Sequence, residues 1–189
     1  MPIKIVLFGP ESTGKSTLAN ELAEAFGTTW STEYLRKFVD EKIERGIEDT
    51  AELVRESEVI KIAREQIKAE EETVNSNEQV VFLDTCIHTN LIYAKHYFGH
   101  VPKALQEMAK KARYDFFLLC DTDLPWQADL QRDSEQAQHA LFKSMEKYLK
   151  DNQLPFCLVQ GSGKVRKYNA IKHIIEYFPI LLQLLNKNA

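Results

Sequence analysis

The chain has 189 residues, 44% of them hydrophobic, and carries a formal net charge of -4 at pH 7. That length and apolar content suit one domain with a substantial core. The acidic balance argues against a nucleic-acid partner or an anionic membrane surface, because each requires clustered basic side chains. A small anionic ligand, bound by a local loop of the protein, is compatible with this net charge.

Cysteine spacing and the N-terminal sequence both predict a cytoplasmic protein. Cys86, Cys120 and Cys157 are far apart and form no C-x-x-C pair, which argues against a disulfide framework and a zinc site. The five histidines also lack metal-ligand spacing. Gly9 and Pro10 interrupt any apolar signal-peptide region, and no apolar run reaches membrane-spanning length.

The first predicted elements are a strand, a phosphate-binding loop and a helix. Residues 3–8 form a β-branched and aromatic run that is typical of a buried parallel strand, and residues 9–16 match G-x-x-x-x-G-K-[ST] at every position. A glycine-rich turn with a solvated lysine is the alternative, and the flanking strand and helix argue against it. The apolar face of the helix consists of Leu18, Leu22, Ala23 and Phe26.

Each fixed position of this loop has a chemical reason. Gly9 permits a tight turn after the strand, and Gly14 lets the backbone approach a phosphate. Backbone N–H groups and the helix N-terminus then bind the phosphates, while Lys15 reaches the β- and γ-phosphates and the Ser16 hydroxyl binds Mg²⁺. We therefore expect ATP and Mg²⁺ as cofactors. The predicted nucleotide-binding residues are Gly9, Glu11, Ser12, Thr13, Gly14, Lys15, Ser16 and Thr17.

The next segment is predicted to contain a short strand and two helices. The strand covers residues 28–31, and a helix over residues 33–45 ends before Gly46. A capping box of Asp49 and Glu52 then predicts one long helix. Its apolar stripe, more typical of a helix lying across a sheet than of a coiled coil, consists of Leu53, Ile60, Ala63, Ile67 and Val74.

The second strong strand is predicted at residues 80–84, where four apolar residues end in Asp84. This pattern is typical of a strand that places a carboxylate beside Mg²⁺. The alternative is that Asp84 only caps the following helix.

The remaining chain alternates helices and strands. Helices are predicted over residues 87–98, 101–113, 134–150 and from Val165 onward, and strands over residues 115–120 and 155–160. The long acidic segment 121–133 contains Trp126 and is predicted to be functional, with a lid around residues 124–140. The apolar C-terminal residues 178–185 are expected to dock on the body or on a second subunit, so a homo-oligomer is possible.

Strands that are continuous apolar runs and alternate with helices predict an α/β fold, a three-layer αβα arrangement around a five-stranded parallel sheet. Ligands bind at the carboxyl ends of such strands. Gly9, residues 32–36, Asp84, Asp121 and Gly161 all fall at that edge. We therefore expect one cleft there.

Four motifs occur in an order that resembles a known family. They are the phosphate loop at residues 9–17, Glu33-Tyr34-x-Arg36, Leu83-Asp84-Thr85, and Leu124-Pro125-Trp126-x-x-Asp129 through Arg132. Together they resemble the nicotinamide riboside kinase domain of the NadR-type NAD-biosynthesis proteins. The resemblance spans nearly the whole chain and implies a freestanding, nucleoside-kinase-like P-loop domain that transfers the γ-phosphate of ATP to a ribose 5′-hydroxyl, giving nicotinamide mononucleotide.

The resemblance also implies roles for individual residues. Asp84 would act beside Mg²⁺ and the acceptor hydroxyl together with Lys15, and Arg132 would be a lid residue that closes over the transferring phosphate. The chain departs from the family pattern at Cys86, Leu130 and Thr32. The acceptor side would be lined by Glu33, Tyr34, Arg36, Trp126 and Asp129.

Simpler interpretations remain open for several of these side chains. Trp30 and Trp126 are also compatible with core positions, and Arg36 and Arg132 with surface ion pairs. Gln66 is predicted to point toward the sheet and to touch the acceptor base.

Rival classes of P-loop protein fit the sequence less well. A hydrolytic ATPase usually has Glu directly after the strand acid, where this chain has Thr85, and a GTPase has an Asn-Lys-x-Asp motif that is missing. A non-catalytic nucleotide-binding module could lose Asp84 and Arg132, and both are present. A small-molecule kinase is favoured, and its acceptor could also be another nucleoside or a vitamin-like hydroxyl compound.

Overall fold

The computed structural model describes residues 1–47, 49–74, 77–126 and 134–187. In this part of the chain, five parallel strands form one sheet in the order β2-β3-β1-β4-β5. The strands are β1 (Ile3–Phe8), β2 (Trp30–Ser31), β3 (Val80–Asp84), β4 (Phe116–Cys120) and β5 (Phe156–Val159). The helices are α1 (Lys15–Phe26), α2 (Tyr34–Glu44), α3 (Thr50–Leu53), α4 (Val59–Val74), α5 (Ile87–Phe98), α6 (Lys103–Lys111), α7 (Glu135–Asp151), α8 (Gly163–Tyr177) and α9 (Leu182–Lys187). The predicted α/β fold is confirmed.

The register of the central strand aligns the loop after β1 with the end of β3. Leu7 lies opposite Asp84 on one side of β1, and Phe8 lies opposite Leu119 on the other. The chain leaves β1 one residue later, so the phosphate loop begins directly beside Asp84. This shared carboxyl edge is where ligands of open parallel sheets bind.

Helices bury both faces of the sheet, which is why the strands are continuous apolar runs rather than alternating ones. Successive β1 residues point to opposite faces: Ile5 and Leu7 join the core beneath α1 and α8, whereas Val6 and Phe8 join the core beneath α5 and α7. The first core also contains Leu18, Leu22, Phe26, Phe82, Leu118, Ile174 and Leu181, and the second Leu83, Ile92, Phe117, Leu141, Met145 and Leu149.

The C-terminal apolar segment docks on the body of the same chain. Leu181, in a 3₁₀ turn just before α9, is fully buried, and Leu184 and Leu185 pack against the core beneath α1 and α8. Of the two docking modes predicted from the sequence, this is the intramolecular one. Within the described residues, no helix combines the length and apolar character needed to cross a bilayer.

The prediction of one long helix after Asp49 is wrong. The chain forms α3, then an extended residue at Arg55, a 3₁₀ turn over Glu56–Glu58, and only then α4. The break is held by Lys42, whose ammonium donates to the Glu52 carbonyl oxygen at 2.9 Å and to the Glu58 carboxylate at 2.6 Å. The heptad positions of α4 are consequently only half-buried, and its buried face consists of Val59, Ile62, Ala63, Gln66 and Glu70.

Other boundaries differ by a few residues. β2 is shorter than the strand predicted at residues 28–31, and α6 is two residues shorter at each end than predicted. α8 begins at Gly163 rather than at Val165.

Candidate active site

The phosphate loop is shaped by two glycines with positive φ. Gly14 is the N-cap of α1 at φ 73°, and Gly9 stands at φ 150°, where a Cβ would lie 2.9 Å from the Cys120 carbonyl oxygen. The hydroxyl of Thr13 donates to the Pro10 carbonyl oxygen at 2.8 Å and closes the loop on itself. A curved backbone that ends on a helix N-terminus is the arrangement that binds phosphate.

Lys15 lies across this loop. Its side chain is only 8% exposed, and its ammonium donates to the Pro10 carbonyl oxygen at 2.7 Å. The same cation acts electrostatically on the carboxyls of Asp84 and Glu33, where it opposes the rise in pKa that burial causes in each. A positive charge therefore stands between the loop and two acids, where phosphate oxygens would need it.

Ser16 and Asp84 form the closest polar contact of the site. The Ser16 hydroxyl donates to Asp84 Oδ2 at 2.5 Å, while Asp84 Oδ1 is buried without a partner among the described residues. Burial raises the pKa of Asp84, and Lys15, the Ser16 hydroxyl and Arg36 oppose that rise. A buried carboxylate oxygen with no partner, beside a hydroxyl, fits a hard cation such as Mg²⁺, which prefers oxygen ligands.

Thr85 turns the chain away after Asp84. It has φ 64°, a left-handed conformation that is unusual for a β-branched residue, and its N–H donates to the Leu7 carbonyl oxygen at 3.1 Å. The turn leaves the Asp84 side chain at the open end of β3. Strained backbone of this kind occurs often at functional sites.

Glu33 lies at the end of the short loop after β2 and faces the same charges. Burial, together with the carboxylates of Asp84 and Glu11, outweighs the attraction of Lys15 and Arg36 and raises the pKa of Glu33 to about 7. Two acids, Asp84 and Glu33, thus share a cleft with Lys15. They differ in that Asp84 accepts the Ser16 hydrogen bond.

Tyr93 and Gln138 belong to the site and were missed by the sequence analysis. The Tyr93 hydroxyl donates to Glu11 Oε2 at 3.3 Å, and the Gln138 amide donates to the Glu11 carbonyl oxygen at 2.7 Å. Burial, Glu11 and Glu33 raise the pKa of Tyr93. No motif marks either residue: Tyr93 reaches the loop from the middle of α5 and Gln138 from the first turn of α7.

Arg166 was also missed, although its guanidinium joins three loops of the site. It is 4% exposed and donates to the carbonyl oxygens of Thr13 at 2.9 Å, Asp121 at 2.8 Å and Gly161 at 2.6 Å, and to the Asp123 carboxylate at 2.6 Å. It lies in the first turn of α8, and no motif in the sequence marks it.

The predicted acceptor residues are placed in different surroundings. Arg36 is exposed but acts on both acids of the cleft, whereas the Tyr34 ring packs beside Phe38, with ring centroids 6.3 Å apart. Trp126 is half-buried, and its indole N–H has no partner among the described residues. Their substrate roles stay predictions. The predictions for Asp129 and Arg132 concern residues outside the described ranges.

The segment that contains these two residues is flanked by contacts with the phosphate loop. On its N-terminal side, Leu124 lies so close to Gly14 that a Cβ there would stand 3.0 Å from Leu124 Cδ1. On its C-terminal side, α7 begins after Ser134, whose hydroxyl caps Ala137 N at 3.2 Å, and carries Gln138 to the loop. Leu124 and Gln138 therefore lie against the same loop from the two sides of this segment.

Comparison with known proteins agrees with this geometry. A family model described as an AAA domain matches residues 4–166. The chain belongs to this AAA domain family.

Two curated relatives of this AAA domain are trifunctional NAD biosynthesis/regulator proteins called NadR. The one from Salmonella typhimurium is 31% identical over 158 residues and the one from Escherichia coli 30% over 162 residues, each alignment covering 82% of this chain. The AAA domain spans only 38% of the length of either relative. The resemblance to NadR-type proteins that the motifs indicate is confirmed.

Solved structures share the fold at lower sequence identity. NadR in complex with NAD and AMP-PNP and NadR in complex with NR each align with a TM-score of 0.73 at 23% identity, over 94% of this chain and 50% of the other. Deoxyadenosine kinase from M. mycoides aligns with a TM-score of 0.63 at 16% identity, over 92% of this chain and all of the other. The AAA domain thus has the fold of a P-loop nucleoside kinase.

Proposed function

We propose that this chain is an ATP- and Mg²⁺-dependent kinase that phosphorylates the ribose 5′-hydroxyl of nicotinamide riboside in the cytoplasm, giving nicotinamide mononucleotide. The observation that carries the proposal is the convergence of Lys15, the Ser16–Asp84 pair and Glu33 at one edge of the sheet. It is supported by the relatives named for NAD biosynthesis and by the NadR complex with NR.

The donor side is built to hold ATP. The loop N–H groups and the start of α1 bind phosphates, with Glu11, Ser12, Thr13 and Thr17 beside them, and Lys15 offsets the charge on the β- and γ-phosphates. Ser16 and Asp84 would hold Mg²⁺, which supplies charge neutralisation at the phosphate oxygens.

The two acids divide the remaining work. Asp84 is engaged by Ser16, whereas the Glu33 carboxylate has no such hydrogen-bond partner among the described residues and has a pKa of about 7, which suits a group that takes a proton at working pH. Glu33 therefore accepts the proton of the attacking 5′-hydroxyl as the oxygen–phosphorus bond forms. The γ-phosphoryl group leaves ADP with the electron pair on the β-phosphate oxygen.

The acceptor side suits a cationic aromatic ring. Glu11, Glu33 and Asp84 give it negative charge, and Tyr93 lies beside the first two, so a pyridinium ring would meet both carboxylates and an aromatic face. We place Tyr34, Arg36, Trp126 and Asp129 on this side as well. In a single domain, residues 124–140 would act as the lid, with Arg132 closing over the transferring phosphate.

An ADP-release assay of the purified protein with ATP, Mg²⁺ and a panel of nucleosides and hydroxylated vitamins tests the proposal. We expect the highest kcat/KM with nicotinamide riboside and a product heavier by one phosphoryl group. A preference for deoxyadenosine would support the second candidate, a kinase of another nucleoside, which the likeness to deoxyadenosine kinase favours. ADP release that is independent of every acceptor would contradict both.

A further inference from the structure

We propose that Gln66 and Glu70, on the buried face of α4, are positioning residues that hold Glu33 in the cleft by capping α2 from outside. The inference rests on the proposed function, because it assigns these residues a part in the reaction of Glu33. The amide of Gln66 and the carboxylate of Glu70 are both bonded to protein groups.

The first step of the argument concerns the N-terminus of α2. Glu33 is the N-cap residue of this helix, a position whose side chain ordinarily accepts a hydrogen bond from the N–H of the second or third helical residue. Here the Glu33 side chain makes no such bond. Instead Gln66 Oε1 accepts from the Tyr34 N–H at 2.9 Å.

Tyr34 directly follows Glu33, so this bond anchors the backbone next to the residue whose carboxylate interacts with Lys15 and Asp84. Without the Gln66 amide, the Tyr34 N–H would lose its acceptor and the start of α2 would lose its link to α4. The cap supplied by α4 therefore fixes the backbone from which the Glu33 side chain reaches the cleft.

The second step concerns the orientation of the Gln66 amide, which could present either oxygen or nitrogen to Tyr34. Its nitrogen donates to Glu70 Oε1 at 3.3 Å, and the Tyr114 hydroxyl donates to Glu70 Oε2 at 2.6 Å. Glu70 is an acceptor and so favours the amide orientation that turns the oxygen toward Tyr34. A chain of hydrogen bonds thus runs from Tyr114 to the start of α2.

The burial of these hydrogen-bonded side chains indicates that they do more than fill space in the core. Gln66 is 2% exposed and Glu70 7% exposed, on a helix whose other buried residues are apolar. An unpaired polar group at such depth is unfavourable, so every member must be satisfied. Aliphatic side chains would fill the same space, but they could not cap α2. The sequence-based expectation that Gln66 touches the acceptor base is replaced by this role.

The test compares Gln66→Met, Glu70→Leu and Tyr114→Phe with wild type in kcat, in KM for ATP and acceptor, and in hydrogen exchange of the Tyr34 amide. We expect kcat to fall at least tenfold in the first two and several-fold in the third. KM for ATP should change less than twofold in all three. Glu70→Gln, which keeps an oxygen for Gln66 and a polar group for Tyr114, should restore most of kcat.

Tyr148→Phe is the matched control. It also removes a half-buried phenol hydroxyl, in this case one bonded to His88 Nδ1 at 3.0 Å, and no hydrogen bond among the described residues links that pair to Gln66 or α2. We expect wild-type kcat and wild-type exchange of the Tyr34 amide in this variant.

A kcat within twofold of wild type in folded Gln66→Met and Glu70→Leu, whatever their melting temperatures, would overturn the proposal. If those variants do not fold, Tyr114→Phe against Tyr148→Phe decides it in the same way. If wild type phosphorylates no acceptor, the proposed function fails, and amide exchange still tests the cap. Faster hydrogen exchange of the Tyr34 amide in Gln66→Met, but not in Tyr148→Phe, supports the cap. Unchanged exchange in Gln66→Met overturns it.

Discussion

The guanidinium of Arg166 donates a hydrogen bond of 2.9 Å to the carbonyl oxygen of Thr13, which lies 153 residues earlier in the chain. The same guanidinium bonds the Asp121 carbonyl oxygen after β4 and the Gly161 carbonyl oxygen after β5. One buried cation therefore fixes the distances between the phosphate loop and the loops that follow two other strands.

We predict that Arg166→Met weakens ATP binding and lowers stability together. Losing these charge-assisted bonds should raise KM for ATP about tenfold and lower the free energy of unfolding by about 2–4 kcal/mol. Arg166→Lys should rescue little, because an ammonium cannot reproduce the planar fork. Urea unfolding and initial-rate kinetics on the same preparations measure both effects.

Arg113→Met is the control for this prediction. Arg113 also donates to two backbone carbonyl oxygens, those of Lys110 and Ala112, but it is exposed. It should change neither KM nor stability appreciably. Wild-type KM for ATP in Arg166→Met would show that this arginine stabilises the fold without shaping the phosphate loop.

The contrast between Arg166 and Lys15 illustrates how far the sequence could predict the site. Lys15 lies in a motif of fixed local spacing, and Asp84 ends a strong apolar strand, so local pattern is enough to find both. Arg166 and Gln66 act across 153 and 32 residues of chain, respectively, through contacts that exist only after the sheet is assembled. Their neighbours in sequence give no spacing that identifies them.

The fold shows the same division. Strands were predictable because burial on both faces makes each one a continuous apolar run. The break between α3 and α4 was not, because it depends on Lys42, a residue of α2 that bonds Glu52 and Glu58 across the gap. The apolar heptad repeat continues across the break, so the sequence pattern gives no sign that the helix is interrupted.

For the phosphate loop, we predict that Lys15→Ala and Ser16→Ala abolish phosphoryl transfer and leave the fold intact. Both side chains act on bound phosphate and Mg²⁺, so their loss should lower kcat by at least about 10²-fold. Asn20→Ala on the same helix is the control: among the described residues, the Asn20 side chain bonds the Glu24 side chain and no group of the site. Turnover equal to wild type in either loop variant, with unchanged circular dichroism, would disprove the assignment of this loop.

The two acids of the cleft should separate kinetically. Asp84→Asn should lose most of kcat and require a higher Mg²⁺ concentration for half-maximal rate, because the amide is a poorer ligand for a hard cation. Glu33→Gln should lose kcat by roughly 10²-fold with an unchanged Mg²⁺ requirement, because it removes only the proton acceptor. Magnesium titrations of both variants check this. Equal shifts in their Mg²⁺ requirement would mean that both acids bind the metal.

Acid should destabilise the fold through His88. This side chain is 7% exposed, beside the rings of Tyr114, Phe117 and Tyr148, and burial lowers its pKa to about 4. Between an ordinary pKa near 6.5 and that value, the unfolded chain binds a proton that the folded protein does not. The free energy of unfolding should therefore fall as pH falls through this window, by about 3 kcal/mol in total.

The comparison with His88→Asn isolates this effect, because Asn keeps an acceptor for Tyr148 but does not titrate. Glu70, whose pKa is raised by burial to about 7, acts in the opposite direction and is present in both proteins. Urea unfolding from pH 8 to pH 4.5 should show wild type losing stability relative to the variant. Parallel stability curves would mean that the histidine does not remain neutral on folding.

Arg132 provides the test of the lid. Leu124, before residues 127–133, and Gln138, after them, both lie against the phosphate loop, where the transferring phosphate would bind. A guanidinium delivered there on closure would stabilise charge that develops in the transition state. Arg132→Ala should then lower kcat on the order of 10²-fold or more, with a much smaller change in ATP affinity. Arg132→Lys should recover little of the lost kcat, because a point charge lacks the planar fork that binds two oxygens.

If Arg132 instead forms a surface ion pair with Asp129, its removal should cost under about 1 kcal/mol of stability and leave kcat unchanged. Measuring kcat and the melting temperature on one Arg132→Ala preparation distinguishes the two, since near wild-type turnover would exclude the lid role at any melting temperature.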